Sequence, residues 1–80
     1  MSVQTYRLKI EASLRELNAI KDMISSSGKF AEEAVRVTEM IVALVAFSSL
    51  SDEGIQEESV YIERILNAIN QYVEFMKTSI

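Results

Sequence analysis

Four residue types are missing from this chain of 80 residues: cysteine, histidine, tryptophan and proline. Without cysteine, disulfide bonds and thiolate metal sites are unavailable. Without histidine, the chain lacks the commonest general base and the commonest transition-metal ligand. The numerous serines therefore have no histidine to activate them as nucleophiles. We expect neither a cofactor nor a metal site.

The composition of the chain is typical of a globular protein. Hydrophobic residues make up 49% and charged residues 25%, with a formal net charge of −4. We expect one domain spanning residues 1–80. A chain this short buries only about 60–65% of its unfolded surface, so a monomer is marginally stable unless its packing is good or a partner helps.

The longest apolar run is MIVALVAFSSL at residues 40–50, in which Met40 to Phe47 are all apolar. A membrane span needs about 20 such residues, and shorter runs are typical of buried core helices. The opening segment MSVQTYRLKIEAS carries three charges and lacks the apolar core of a signal peptide. The sequence therefore predicts a soluble, cytoplasmic protein with no membrane partner.

Helix breakers divide the chain into three. The only two glycines, Gly28 and Gly54, lie in the polar stretches SSSGK and SSLSDEG. We expect helices over residues 2–25, 30–50 and 52–79, with Ser2 and Ser51 as N-caps. The fold class is then an all-α, three-helix bundle with antiparallel, up-down-up helices. A buried strand over 40–47 is the alternative for the middle segment, because short apolar runs suit either structure.

Apolar residues recur every seven positions in the outer two helices. The first helix repeats Val3, Ile10, Leu17 and Ile24, and the third repeats Ile55, Ile62, Ile69 and Met76. This spacing predicts amphipathic helices with a continuous core face. On the middle helix the core face is predicted to contain Val37, Ile41 and Leu44.

Each helix also carries apolar residues on a second side, where a three-helix bundle offers no cover. Large apolar patches seldom stay exposed, so we expect the bundle to be completed by oligomerisation or by another helical protein. The predicted contact residues are Val35, Val42, Ala46, Tyr61, Ala68, Tyr72 and Phe75.

Carboxylates are the only plausible catalytic groups, in two acidic segments around Glu32 and Glu57. An all-α phosphohydrolase that holds Mg²⁺ through carboxylates is therefore one alternative function. Carboxylates at helix N-termini are also expected on electrostatic grounds alone, so we expect no enzyme. Residues 51–80 carry two basic and six acidic side chains, which would repel the phosphates of nucleic acid.

We therefore expect a small, non-catalytic, helical module for protein–protein interaction. It would act as an oligomerising subunit, an adaptor or a chaperone-like partner of another protein. A regulator that folds on its target is a further alternative.

Overall fold

The computed structural model describes residues 2–79, which form four helices and no strand. The helices are α1 (Val3–Ser27), α2 (Ala31–Ser48), α3 (Asp52–Glu57) and α4 (Ser59–Ser79). The all-helical class is therefore confirmed for the described part of the chain, and the strand alternative over 40–47 is wrong. The molecule is 41 Å long, close to the ~37 Å that the 25 residues of α1 span.

The third predicted helix is divided in two. Glu58 lies between α3 and α4 with φ −96° and ψ 10°, outside ideal helical geometry. Glu53 and Glu57 lie one turn apart in α3, and like charges at this spacing destabilise a helix. Gly54 weakens the same turn further. The break is short, since the Ile62 backbone N–H donates to the Glu58 carbonyl at 2.8 Å.

The helix ends follow the expected capping chemistry. The Ser2 hydroxyl accepts from the Thr5 N–H at 3.2 Å, and the Ser51 hydroxyl accepts from the Gly54 N–H at 3.1 Å. Gly28 ends α1 with φ +71°, the left-handed conformation that glycine adopts without strain. Both predicted N-caps are confirmed.

The core runs along α1. This helix packs against the other three, α3 also packs against α4, and α2 and α4 approach each other only weakly. All the predicted heptad residues are buried except Val3, which is half-buried. Val37 and Leu44 of α2 are also buried, whereas Ile41 is only half-buried. The buried apolar residues are Tyr6, Ile10, Leu17, Ile20, Ile24, Val37, Leu44, Ile55, Ile62, Leu66, Ile69, Val73 and Met76.

Arg7 joins α1 to the segment between α2 and α3. Its Nη2 lies 2.8 Å from Asp52 Oδ1 and donates to the Leu50 carbonyl at 2.9 Å, while its Nη1 donates to the Ser48 carbonyl at 3.3 Å. A guanidinium suits this site because it offers several donors and a positive charge beside the carbonyl end of a helix.

Candidate interaction surface

A groove opens where α2 and α4 fail to pack closely. We call it the α2–α4 groove; its volume is about 270 Å³. Ala43 on α2 and Ala68 on α4 lie in its walls, and their short side chains leave the space that larger residues would fill. The lining residues are mostly apolar: Arg36, Glu39, Met40, Ala43, Ile65, Ala68 and Ile69.

Aromatic residues lie beside this groove on α4. The ring of Tyr61 meets the ring of Phe47 on α2 edge to face, with centroids 5.8 Å apart and planes at 85°. Phe75, two heptads after Tyr61, is 63% exposed. Tyr61, Ala68 and Phe75 follow one another at seven-residue intervals, so they share one side of α4. Apolar and aromatic side chains of this kind are typical of interface cores.

Tyr72 packs partly into the core on the same side of α4. Its hydroxyl is buried and has no hydrogen-bond partner among the described residues. Burial raises the pKa of this phenol, the negative charge of Glu33 raises it further, and the positive charge of Arg36 opposes both effects. The hydroxyl is therefore neutral at physiological pH and remains an unused donor.

A second apolar surface lies on the outer face of α2, defined by Val35, Thr38, Val42, Val45 and Ala46. All five are exposed, and Val42 is 63% exposed. The charged residues of α2 (Glu32, Glu33, Arg36, Glu39) all lie in its first half, and Glu39 borders the outer face beside Val35 and Thr38. The second half of the outer face is therefore uncharged.

The seven predicted contact residues are placed as follows. Six are exposed: Val35, Val42 and Ala46 on the outer face of α2, and Tyr61, Ala68 and Phe75 on α4. Tyr72 is half-buried and packs against the core. Only Ala68 lines the α2–α4 groove. Met40 and Ile65 also line the groove but are not among the predicted contact residues, because helical spacing alone does not show that α2 and α4 stay apart.

A polar cleft of about 380 Å³ lies between α1 and α4. At its floor the buried Ser13 hydroxyl donates to Asn70 Oδ1 at 3.2 Å. Beside it, Lys77 Nζ lies 3.6 Å from Glu16 Oε2 and 3.8 Å from Glu74 Oε1. Two polar contacts thus connect α1 and α4 at this cleft, Ser13–Asn70 and Glu16–Lys77.

Two further findings concern metal binding and membrane-spanning helices. Within residues 2–79, no three acidic, histidine or cysteine side chains come together in a way that could bind a metal ion. Over the same residues, no helix combines the length and apolar character needed to cross a membrane.

The chain matches no protein-family model, no curated protein and no solved structure.

Proposed function

We propose that this protein is a small, non-catalytic, helical interaction module, which binds a second copy of itself or another helical protein through the side that α2 and α4 share. The observation that carries the proposal is the open, largely apolar α2–α4 groove. A helix laid into such a groove would bury apolar surface on both sides, the mode by which amphipathic helices are commonly recognised.

Exposed apolar residues elsewhere on α2 and α4 also support an interaction function. Val35, Val42 and Val45 on α2, with Tyr61 and Phe75 on α4, are each about half exposed or more. Scattered apolar residues on a surface need no explanation, but the three valines lie together on the outer face of α2, and Tyr61 and Phe75 share the side of α4 that carries Ala68. Their burial against a partner would contribute favourable free energy in proportion to the apolar area removed from water.

The arrangement we propose is an up-down-up bundle completed by oligomerisation. Arg7 near the start of α1 bonds to Ser48 at the end of α2, as expected if these helices run in opposite directions. Along α1 and α4 the contacts Ser13–Asn70 and Glu16–Lys77 follow in the same order, as expected for helices that run in the same direction. A helix from a partner, in the groove between α2 and α4, would make this a four-helix bundle.

We propose the cytoplasm as the location. The cytoplasm is reducing, and this chain has no cysteine and therefore no disulfide that reduction could break.

The test compares the mass in solution of the unmodified protein and two variants by light scattering over a wide dilution range. Ala68→Glu places a charge in the groove and should weaken association. Val60→Glu is the matched control, since Val60 is also exposed on α4 but does not line the groove. Circular dichroism should show the same helix content in all three.

If the unmodified protein is monomeric, the same variants test a different partner. A protein captured from cell extract should be lost with Ala68→Glu and kept with Val60→Glu. The proposed function is wrong if the protein neither self-associates nor retains any partner in a way that depends on Ala68.

A further inference from the structure

Arg36 and Glu39 lie one turn apart on α2, and both line the α2–α4 groove. Both side chains are exposed, and neither forms an ion pair within residues 2–79, where the ion pairs involve other residues. The rim of the groove thus carries one positive and one negative residue, whose backbone positions are about 4.5 Å apart along the helix axis.

From this pair we infer that the occupant of the groove is a second copy of the chain, whose α2 runs antiparallel to the first across a two-fold axis. In a two-fold interface, if one residue contacts another across the axis, the reverse contact also forms. An axis passing between Arg36 and Glu39 therefore places each arginine opposite the glutamate of the other copy. This inference rests on the proposed function and names the partner.

The other charges of α2 favour the same orientation. In this antiparallel register Glu32 lies opposite Ala43 of the second copy, so no two carboxylates meet. In a parallel pairing, each charged residue would instead lie beside the same residue of the second copy. Like charges would then face each other at Glu32, Arg36 and Glu39. Such juxtapositions disfavour an interface.

The spacing of the residues also suits close helix packing. Glu32, Arg36, Glu39 and Ala43 follow at intervals of four, three and four, so they form one stripe along α2. Ala43 has a short side chain that allows another backbone to approach. Beyond it, Ala68 and Ile65 of α4 would contact the second copy from the far wall of the groove.

The experiment exchanges the two charges and measures the dimer dissociation constant by analytical ultracentrifugation. Arg36→Glu makes the pair wholly acidic and Glu39→Arg makes it wholly basic. Each single variant should dissociate about tenfold more readily, because like charges then face each other across the axis. An equimolar mixture of the two variants should associate nearly as tightly as the unmodified protein, because each acidic pair meets a basic one.

The double variant Arg36→Glu/Glu39→Arg provides a second check, since it restores both opposite-charge contacts in reverse. All variants should keep their helix content, because both residues are exposed. A dimer whose dissociation is unaffected by the single changes, or a mixture that does not recover, overturns the inference but leaves the proposed function standing. A protein that is monomeric at every concentration also overturns it, and the proposed function then depends on the Ala68 capture experiment.

Discussion

The guanidinium of Arg7 and the carboxylate of Asp52 meet at 2.8 Å, although 45 residues separate them in the chain. The same guanidinium binds the Ser48 and Leu50 carbonyls, so one side chain connects α1 to the end of α2 and the start of α3. Glu11 lies one turn away from Arg7 on α1, but the guanidinium binds these more distant groups instead.

Replacing Arg7 should therefore destabilise the protein. We expect Arg7→Ala to lower the free energy of unfolding by about 1–2 kcal/mol, since it removes several charge-assisted hydrogen bonds at a partly exposed site. Urea unfolding measures the change. Arg15→Ala is the control: its pair with Glu11 at 3.7 Å is well exposed, so the change should stay within about 0.5 kcal/mol. Equal losses for the two variants would contradict the role given to Arg7.

The two glycines should respond to alanine in opposite directions. Gly28 has φ +71°, so Gly28→Ala introduces backbone strain and should cost about 1 kcal/mol, although space is available. Gly54 lies in α3, and a Cβ there meets Leu50 Cβ at 3.4 Å, an ordinary contact. Gly54→Ala should therefore stabilise the protein by about 0.5–1 kcal/mol through its better helix propensity. Thermal unfolding of both variants measures the signs.

The contrast between the caps and Arg7 shows what this sequence predicts well. The N-caps at Ser2 and Ser51 and the heptad core depend on residues a few positions apart, so local patterns identify them. The bonds of Arg7, the Ser13–Asn70 contact and the break at Glu58 depend on where distant helices meet or on small differences in local energy. Local patterns contain little of that information.

The candidate interaction surface can likewise be predicted from the sequence only in part. Its exposed apolar residues, such as Val42 and Phe75, follow from helical spacing alone. The groove does not, because it depends on how far α2 and α4 stand apart after both have packed on α1. Tyr72 lies at the boundary between the two: it is one of the predicted contact residues and also packs partly against the core.

The unpaired hydroxyl of Tyr72 should make stability depend on alkaline pH. Burial raises the pKa of this phenol in the folded protein above its unfolded value, so the folded state keeps the proton to higher pH. The contribution is complete below the unfolded pKa of about 10 and is lost as pH rises through the folded pKa. Tyr72→Phe should reduce the loss of stability as pH rises above about 10, the ordinary pKa of a tyrosine.

At neutral pH the same variant should leave stability unchanged or raise it by up to about 1 kcal/mol, because it removes a buried donor that has no acceptor within residues 2–79. Tyr61→Phe is the control, since that residue is more than half exposed. A clear loss of stability with Tyr72→Phe at neutral pH would show that the hydroxyl has a partner.

Neighbouring positions on α2 should respond very differently to truncation. Leu44 is fully buried, so Leu44→Ala should lower the free energy of unfolding by about 2–5 kcal/mol. Ile41→Ala should cost less, since Ile41 is only half-buried. Val42 is 63% exposed, and Val42→Ala should change stability by no more than about 0.5 kcal/mol. Urea unfolding at a single low protein concentration keeps association from contributing to the comparison.

Val42→Glu extends this comparison to association through the outer face of α2. On the outer face of α2 a carboxylate remains in water when the protein is monomeric, so the fold should persist. In an assembly that covers this face the same carboxylate would be buried without a partner, and the assembly should dissociate more readily. Light scattering and circular dichroism on one sample separate the two effects. A variant that unfolds outright would place Val42 in the core and reverse the assignment of the two faces of α2.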